Sequence, residues 1–449
     1  MGISRRTFLA GTPPVLLSLA GLPSIRAGRF DHDLIIRGGT LFDGTGAAGK
    51  ERDLAISGGR ISAIAARIQG RAAEEIDARG LAVSPGFIDM HSHVDGSLRA
   101  DPRAESAIRQ GITTIMVGQD GGSRATGGAD HSFKSMFADL QNLHPAVNVA
   151  SMVGLGSIRE EVIGENDRPA TPDEIARMTA MVESALADGA CGASSGLEYT
   201  PGAFASLDEL IALCRPLARR RLPYATHMRN EDDHVLKAID EAIAVARGAR
   251  CPLEISHLKT EGPRNWGKLD DAFARITAAR RDGMDVTFDR YPYLAYSTGL
   301  TNLFPVWSRD GGIDQFLARL DDPATADKIH QAVLAKVELI GGWNNAEVTG
   351  VRAEQDRTAE GQRIGDYARQ LGADPYQVTT DLLRHSHGNV GMVGFAMSEE
   401  NLERILAHPL SMICTDGSGF AIDGPTHRGS PHPRGIGSCA RLLGRYVRE

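Results

Sequence analysis

Apolar residues after Pro85 fall into eight short runs, and several of the segments between them are predicted helices, such as Pro172–Asp188. Eight strands that alternate with helices are what a (β/α)8 TIM-type barrel requires, which places the chain in the α/β class. A doubly wound sheet is the alternative, but no glycine-rich phosphate-binding fingerprint follows the first run. The predicted strands are Gly86–Met90, Thr113–Val117, Asn148–Val153, Gly192–Gly196, Tyr224–Met228, Leu253–Leu258, Asp285–Phe288 and Leu410–Thr415.

Two other regions have different patterns. Residues 31–84 alternate apolar and polar positions with a period of two, and Gly38-Gly39, Asp43-Gly44 and Gly58-Gly59 interrupt them. This pattern predicts hairpins that form a small β unit, half of a β-sandwich. The barrel then takes up residues 85–449, in which 309–397 is long for one connection and predicts an inserted helical segment.

The N-terminus has the pattern of an export signal. Arg5-Arg6 is followed by Phe8-Leu9 and by a modest apolar run, Val15–Leu22, which is too short to span a bilayer. We predict that residues 1–30 are a twin-arginine signal peptide, read by the export machinery, and that the protein is periplasmic or secreted without stable membrane insertion. A disordered basic N-terminus is the alternative.

Composition narrows the class of protein. The 449 residues carry 24% charged and 42% hydrophobic residues, which excludes a disordered or fibrous protein. A net charge of −8 argues against a nucleic-acid-binding protein. The five cysteines form no CxxC pair, so neither a disulfide framework nor a cysteine-rich zinc site is expected.

Polar residues that can bind a metal follow the predicted strands. His91 and His93 come after the first strand, two residues apart, and therefore lie on the same face. The other members of this set are Asp120, His227, His257 and Asp416, at the ends of strands two, five, six and eight. Barrel enzymes carry their chemistry at this edge, and imidazole with carboxylate suits Zn²⁺, so the set predicts a metal site.

Two further residues have predicted roles from their placement. Asp416, in Thr415-Asp416-Gly417, can accept a proton from water and pass it to a leaving nitrogen, although Asp-Gly is also a common turn. Lys259 lies two residues after His257 and on the same side of an extended segment, where it can bind a substrate carboxylate. A solvated surface lysine is the alternative for Lys259.

The sequence resembles a known family. The stretch Ser84–His93 is similar to the first-strand signature of the amidohydrolase superfamily, and the later motifs are similar to its D-aminoacylase branch, the N-acyl-D-amino-acid deacylases. The ordered set covers nearly the whole chain after Asp31. Its later members are Gly111–Thr114, Tyr224–His227, Ile255–Lys259, Tyr291–Tyr293, Thr415–Gly417, His432–Gly435 and Arg445–Glu449.

The resemblance implies a zinc enzyme with one or two ions. His91, His93, His227 and His257 match the family's histidine ligands, whereas Asp120 stands where the family has a cysteine ligand. A carboxylate still binds divalent ions, so Asp120 remains a predicted ligand. A metal-bound hydroxide would attack an amide carbonyl, with Asp416 as the proton shuttle.

The resemblance also implies a substrate site. Tyr291, Ser297 and Arg434 join Lys259 around the substrate carboxylate, for which the arginine supplies a planar fork. Packing at a rigid turn is the alternative for Tyr291. Tyr199 lines the pocket or packs in the core, and Glu198 beside it has no assigned role. Leu155 stands where relatives commonly carry histidine, which removes a polar contact.

The predicted function is zinc-dependent hydrolysis of N-acyl-D-amino acids. Hydrolysis of dipeptides with a C-terminal D-residue, or of cyclic amides as in dihydroorotase and hydantoinase, is an alternative. Cyclic-amide enzymes often use a lysine carbamate on strand four, and no lysine occurs between Lys134 and Lys237. A metal-free periplasmic binding protein is an alternative from another class. Because relatives continue beyond the position of Glu449, the C-terminal part of the β-sandwich is expected to be missing.

Overall fold

The computed structural model describes residues 30–123 and 132–449, so the predicted export signal lies outside the described residues except for its last position. The chain divides between Pro85 and Gly86 into two compact units. Within the described ranges, no helix has the length and apolar character needed to cross a membrane.

The N-terminal unit contains one five-stranded sheet. Its strands are β1 (His32–Leu41), β2 (Lys50–Ser57), β3 (Arg60–Ala65), β4 (Ala72–Asp77) and β5 (Ala82–Val83). The sheet order is β3-β2-β1-β4, with β5 also paired to β1. The antiparallel β2–β3 pair turns at Gly58-Gly59, where both glycines have positive φ, as a two-residue hairpin requires.

The prediction of a turn at Gly38-Gly39 was wrong. β1 runs through both glycines, and its register with β2 shifts between Ile36 and Gly39. Gly38 has φ of +65°, so the pair forms a bulge within one strand and does not reverse the chain. Ile35 and Ala55 form part of the buried core of this unit.

A strand occupies each of the eight predicted segments of the second unit, and the predicted barrel is confirmed. The barrel strands are β6 (Phe87–Asp89), β7 (Ile112–Val117), β8 (Asn148–Ser151), β9 (Val153–Gly154), β10 (Ala193–Gly196), β11 (Tyr224–His227), β12 (Leu253–Ile255), β13 (Val286–Arg290) and β17 (Ser411–Ile413). Between β13 and β17 the chain forms three further strands, β14 (Ala295–Gly299), β15 (Ala346–Val351) and β16 (Val390–Phe395). β8 and β9 are separated only by Met152, whose N–H still bonds to the carbonyl of Val117, so they form one barrel position.

All barrel strands are parallel, in the order β6-β7-β8 and β9-β10-β11-β12-β13-β17. The ring closes between the segments that follow its first and last strands. The N–H of Thr415 donates to Oδ1 of Asp89 at 2.8 Å, and the N–H of Asp416 donates to the carbonyl of His91 at 2.8 Å. The N–H of His93 then donates to the carbonyl of Gly417 at 3.0 Å. Closure therefore brings predicted metal ligands from the two ends of the barrel together.

Helices cover the outside of the ring and fill the connections. They are α1 (Asp95–Leu98), α2 (Glu105–Ile108), α3 (Phe133–Leu143), α4 (Leu155–Ile163), α5 (Pro172–Asp188), α6 (Leu207–Cys214), α7 (Val235–Ala249), α8 (Leu269–Arg281), α9 (Ile313–Asp321), α10 (Ala326–Ile340), α11 (Ile364–Leu371), α12 (Pro375–His385), α13 (Glu399–Leu406) and α14 (Arg434–Arg441).

Helix α5 shows how local sequence sets these bounds. Thr171 and Glu174 form a reciprocal capping box, and Pro172 occupies the first turn, where its missing N–H costs nothing. Gly189 ends the helix with φ of 117°. The inner face of α5 buries Val182 in the core between helices and barrel, a contribution of about 1.5–3 kcal/mol.

The predicted insert, residues 309–397, contains α9–α12 and also two strands that the sequence analysis missed. β15 and β16 pair antiparallel with each other, and β16 pairs with β14 just after the seventh barrel strand. These elements share a second hydrophobic core that includes Phe316, Val333 and Leu383. The small sheet places β14 and its neighbours over one side of the barrel mouth, where they line the cavity described next.

Candidate metal centre and substrate cavity

A cavity of about 1530 Å³ opens at the carboxyl ends of the barrel strands. Every predicted site residue except His91 lines it. His91 is fully buried directly behind the lining. The lining also includes Glu198, Glu231, Glu261 and Tyr296, which the sequence analysis did not assign.

Asp120 lies at the centre of the histidines. Its carboxylate oxygens are 3.4 Å from Nε2 of His91, 3.4 Å from Nε2 of His93, 3.6 Å from Nε2 of His257 and 4.0 Å from Nδ1 of His227. Asp120 reaches this position from a tight turn after β7, in which its own φ is +52°. Aspartate tolerates the left-handed region better than most residues, and this backbone aims its carboxylate at both pairs of histidines.

Two groups of potential ligands share Asp120. In the first, the ligand atoms of His91, His93, Asp120 and Asp416 lie within 4.8 Å of one another. In the second, those of Asp120, His227 and His257 meet the same limit. Nδ1 of His227 lies 3.0 Å from Nε2 of His257, so the two rings present nitrogens to one point.

The donor atoms fit a divalent cation. Among the described residues, Nε2 of His91 and Oδ1 of Asp120 are buried and have no hydrogen-bond partner. Such atoms are costly to bury unless a ligand satisfies them. Burial lowers the pKa of His93, but Asp120 and Asp416 outweigh it and raise that pKa to about 9. Carboxylates thus surround the imidazoles, a donor set of the kind that Zn²⁺ binds.

Buried carboxylates fix the orientation of the metal-site histidines. Oδ2 of Asp289 lies 3.4 Å from Nδ1 of His91, and Oδ1 of Asp289 accepts the N–H of His257 at 2.8 Å. Asp89 accepts both the N–H and the hydroxyl of Thr415. Asp289 therefore lies behind the ring of His91 and anchors the backbone of His257, while Asp89 anchors Thr415 next to Asp416.

Asp416 contacts both the histidines and a cation. Its Oδ1 lies 3.2 Å from Nε2 of His93 and 3.6 Å from Nε2 of His91, while its Oδ2 lies 2.6 Å from Nη1 of Arg434. Burial would raise the pKa of Asp416, but Arg434 and His91 lower it well below its usual range. The carboxylate is therefore ionised and able to accept a proton.

Arg434, Tyr291 and Ser297 come together on one wall of the cavity. Arg434 donates from Nη2 to the carbonyl of Ser297 at 3.0 Å, and its guanidinium lies 4.7 Å from the centre of the Tyr291 ring. The Tyr291 hydroxyl is buried without a hydrogen-bond partner in the described part of the chain. A guanidinium fork beside an unpaired hydroxyl is suited to a carboxylate.

Lys259 has internal partners in the structure. Its ammonium lies 2.6 Å from Oε2 of Glu231 and 2.8 Å from Nδ1 of His257, and its side chain is 3% exposed. Glu231 neutralises the buried ammonium and also lies 3.0 Å from Nδ1 of His257. Although Lys259 lines the cavity, these contacts tie it to the metal-site histidine rather than leave it extended towards a ligand.

Tyr199 lies over the second ligand pair. Its ring centre is 4.7 Å from that of His227, and its hydroxyl lies 3.1 Å from Oγ1 of Thr298 on β14. The residue lines the cavity and also bridges the barrel to the small sheet. Leu155, at the start of α4, is buried in the hydrophobic core, so its apolar side chain takes part in packing.

Sequence reasoning left out Glu231 and gave Glu198 no role. Glu231 follows His227 by four positions, and both carboxylates lie within reach of Nε2 of His227, at 3.9 Å and 3.5 Å. The available signal was the acidic residue directly after each strand-end motif. It was weak because the conformation of these loops decides whether such a side chain faces inward.

Comparisons with known proteins agree with this architecture. The model of the amidohydrolase family matches residues 74–420. The D-aminoacylase of Alcaligenes xylosoxydans xylosoxydans is 33% identical over 93% of this chain and 79% of its own length. The N-acyl-D-aspartate deacylase of the same organism is 34% identical over 93% of this chain and 77% of its own length.

Solved structures give the same result. The N-acyl-D-glutamate deacylase of Bordetella bronchiseptica, complexed with zinc and a phosphonate inhibitor, has a TM-score of 0.77 and 33% identity, and the match covers 93% of this chain and 81% of that one. A D-aminoacylase crystal structure has a TM-score of 0.75 and 33% identity, over 94% of this chain and 81% of that one. The chain therefore belongs to the D-aminoacylase branch of the amidohydrolase family, and it is a metal-dependent hydrolase that acts on amides.

Proposed function

We propose that this enzyme uses zinc to hydrolyse the amide bond of N-acyl-D-amino acids, releasing a carboxylic acid and a D-amino acid. The relatives that act on N-acyl-D-aspartate and N-acyl-D-glutamate support the substrate class. One observation carries the proposal: Asp416 contacts the histidine cluster with one carboxylate oxygen and Arg434 with the other. The proton-transfer group thus lies between the metal ligands and the residue suited to an amino-acid carboxylate.

Five residues would hold the metal: His91, His93, Asp120, His227 and His257. A zinc ion bound there would supply Lewis-acid polarisation of the amide carbonyl and a lower pKa for a nearby water. Asp120, with contacts to all four histidines, belongs to both groups of ligands and is compatible with one ion or two.

The protein groups have separate tasks in this mechanism. Oδ1 of Asp416 accepts a proton from the attacking water and delivers it to the leaving nitrogen. Arg434, Tyr291 and Ser297 bind the carboxylate of the amino acid, so the scissile bond lies beside Asp416. Lys259 and Glu231 hold the ring of His257 in place. Tyr199 covers His227 and limits access of water from that side.

The alternatives make different predictions about the substrate. Cyclic-amide hydrolases of the hydantoinase type often use a bridging lysine on the fourth strand, and β10 contains none, which disfavours this alternative. A dipeptidase specific for a C-terminal D-residue would bind the substrate carboxylate at the same wall of Arg434, Tyr291 and Ser297. Its substrates would differ from N-acyl-D-amino acids only in the acyl group. A metal-free binding protein would not need the buried ligand atoms of His91 and Asp120.

A chiral substrate panel with metal measured alongside tests the proposal. Protein purified without a histidine tag should contain zinc at near-full occupancy, since an intact zinc site binds tightly. It should hydrolyse N-acetyl-D-amino acids with at least about a hundredfold preference over the L-enantiomers, as expected when a fixed carboxylate site orients the substrate. A zinc content below about a tenth of an equivalent, together with no hydrolysis of any amide in the panel, would disprove the proposal of zinc-dependent amide hydrolysis.

We further propose that residues 1–30 direct twin-arginine export, on the strength of Arg5-Arg6 and the weak apolar run after them. All of this segment except its last position lies outside the described residues. When residues 1–30 are fused to a folded reporter protein, replacement of both Arg5 and Arg6 by lysine should stop export of the reporter, because the export machinery recognises the arginine pair. Equal periplasmic amounts of the wild type and of the double-lysine variant would contradict the proposal.

A further inference from the structure

Glu198 is a cavity-lining carboxylate that the mechanism above does not use. It follows β10 in the turn Leu197–Thr200, where the N–H of Leu197 donates to the carbonyl of His227 at 3.0 Å. Oε2 of Glu198 accepts the side-chain N–H of Asn302 at 3.2 Å and lies 3.5 Å from Nε2 of His227. Its side chain is 13% exposed, so it faces the cavity from a largely buried position.

The carboxylates around Glu198 already have ammonium partners. Glu231 pairs with Lys259 at 2.6 Å, and Lys336 pairs with both Asp232 at 2.8 Å and Glu261 at 3.1 Å. Within the described ranges, no lysine or arginine side chain forms an ion pair with Glu198, since Arg309 donates only to its backbone carbonyl. The four carboxylates here, those of Glu198, Glu231, Asp232 and Glu261, therefore outnumber the three cationic groups of Lys259, Lys336 and Arg309.

A second, independent feature points to a ligand at the same place. Tyr296 lines this part of the cavity and is 6% exposed, yet its hydroxyl, which lies near Glu261, makes no hydrogen bond of good geometry among residues 30–123 and 132–449. Burial and the charge of Glu261 raise the pKa of Tyr296, so the hydroxyl stays neutral and can accept a hydrogen bond. An ammonium or guanidinium has only donors, and it would find acceptors here in Glu198 and Tyr296.

Glu198 is also close to the reacting centre. The two ring nitrogens of His227 face opposite sides: Nδ1 faces Asp120 and His257, and Nε2 faces Glu198. The carboxylate of Glu198 thus lies one imidazole ring away from the metal ligands. The Arg434 wall contacts Asp416 instead, so the two charged groups can bind different parts of one substrate.

We propose that Glu198 forms an anionic subsite for a positively charged group of the substrate. This inference rests on the proposed function, which fixes the amide at the metal ligands and the carboxylate at Arg434. The charged group has two possible sources: the side chain of a basic D-residue, such as D-lysine, or the α-ammonium of the acyl part of a dipeptide. In both cases a charge-assisted hydrogen bond to Glu198 anchors the group.

A third metal ion is the competing occupant, because Glu198, His227 and Glu231 have ligand atoms within 4.8 Å of one another. The ammonium of Lys259 lies 2.6 Å from Oε2 of Glu231 and 2.8 Å from Nδ1 of His257. A divalent ion beside this ammonium would meet strong repulsion at close range. A substrate cation needs only Glu198 and neutral acceptors, which the cavity offers.

The test uses zinc-loaded protein and substrate pairs that differ by one ammonium. N-acetyl-D-lysine is compared with N-acetyl-D-norleucine for the side-chain source, and glycyl-D-leucine with N-acetyl-D-leucine for the α-ammonium source. Glu198→Gln keeps an acceptor for Asn302 and removes the charge. Glu360→Gln is the matched control, because Glu360 lines the same cavity and its carboxylate accepts, within the described part of the chain, only the N–H of Val351.

Wild type should prefer the charged member of at least one pair by about tenfold or more in kcat/KM, the effect of a charge-assisted hydrogen bond. Glu198→Gln should abolish the preference, and Glu360→Gln should keep it. Calorimetric titration of the products, D-lysine against D-norleucine and glycine against acetate, should show the same preference in the dissociation constants. The pair that shows it identifies the source of the charge.

Several results would overturn the subsite. The first is no preference for the charged member of either pair, and the second is a preference that survives Glu198→Gln. The third is an equal loss of kcat/KM on both members of a pair in Glu198→Gln, which indicates that Glu198 only positions His227. A third equivalent of zinc that Glu198→Gln removes would also overturn it. The wild-type pairs decide the matter even if the variant does not fold. If no pair is hydrolysed but product binding keeps the preference, the proposed function fails and the subsite stands.

Discussion

Nη1 of Arg434 lies 2.6 Å from Oδ2 of Asp416, and the same guanidinium donates to the carbonyl of Ser297. This contact fixes the carboxylate with its other oxygen 3.2 Å from Nε2 of His93. Both residues are almost fully buried, so the pair is protected from solvent screening. The pair therefore sets both the charge and the direction of the group proposed to move the proton.

We expect Asp416→Asn to retain metal and to lower kcat by about 10²–10⁴-fold, because the amide keeps the shape but cannot accept the proton. Zinc content by elemental analysis and steady-state kinetics check this together. Arg434→Lys is the companion variant: it keeps the charge, loses the fork and should mainly raise KM. An Asp416→Asn enzyme with normal kcat would remove Asp416 from the mechanism.

Asp120 makes a second prediction possible, on metal binding. Asp120→Asn preserves size but removes the charge shared by the four histidines, and zinc affinity should fall by at least about 100-fold. Asp120→Cys should hold zinc much better than Asp120→Asn, because a thiolate is a good zinc ligand. Competition with a chromogenic chelator measures both affinities. Equal zinc affinity in the wild type and Asp120→Asn would show that Asp120 is not a ligand.

Variants of Lys259 distinguish a structural role of this residue from a role in substrate binding. Lys259→Met leaves the buried Glu231 without its ammonium partner, and should lower the free energy of unfolding by about 3–5 kcal/mol. The double variant Lys259→Met/Glu231→Gln should recover much of this loss, since it removes both charges. Denaturant unfolding of the zinc-loaded wild type and of both variants measures these free energies of unfolding. If Lys259→Met instead raises KM at unchanged stability, the lysine contacts the substrate carboxylate, as the sequence analysis predicted.

We expect the buried His432 to make the stability of the protein depend on pH. Its Nδ1 accepts the N–H of Arg434 and its Nε2 contacts the carbonyl of Ala295, while burial and Arg434 lower its pKa to about 3. The unfolded chain, with a histidine pKa near 6.5, takes up the proton first. Stability from this residue is therefore complete above about pH 6.5 and is lost as the pH falls towards 3.

Between pH 7 and 5 this loss amounts to about 1–2 kcal/mol, and His432→Asn should be free of it. Thermal unfolding of both proteins with zinc in excess, at the two pH values, compares their slopes. The wild type should lose more stability than the variant over this interval. Parallel slopes would mean that folding does not lower the pKa of His432.

The barrel and most of the candidate site could be predicted because they depend on repeated local patterns. Each barrel strand is an apolar run, and the end of a strand fixes the edge at which the next side chain lies, so His91, His227 and Asp416 could be placed together. The bounds of α5 follow from Thr171 and Gly189 in the same way. In these cases the information lies within a few residues of the element.

The missed features depend on contacts between distant segments. β14 pairs with β16 at Tyr296 and Gly394, far apart in the chain, and no local pattern indicates this pairing. The contact of Lys259 with Glu231, which lies in another loop, could not be predicted from the spacing that indicated a substrate contact for the lysine. Gly38-Gly39 has the composition of a turn, but pairing with β2 and β4 on both sides keeps the strand extended. Tertiary pairing decided each of these outcomes.

The closure of the barrel between Asp89 and Thr415 has a consequence for how the protein matures. His91 and Asp416, which flank that seam, are on the first and the last of the eight strand positions and meet only when the final strand has joined the first. A metal ion bound by His91 therefore has the proposed base Asp416 beside it only in the completed ring, not in an intermediate with an open edge. An incompletely folded chain therefore cannot bring together the first group of potential ligand atoms, in which Asp416 stands beside His91, His93 and Asp120.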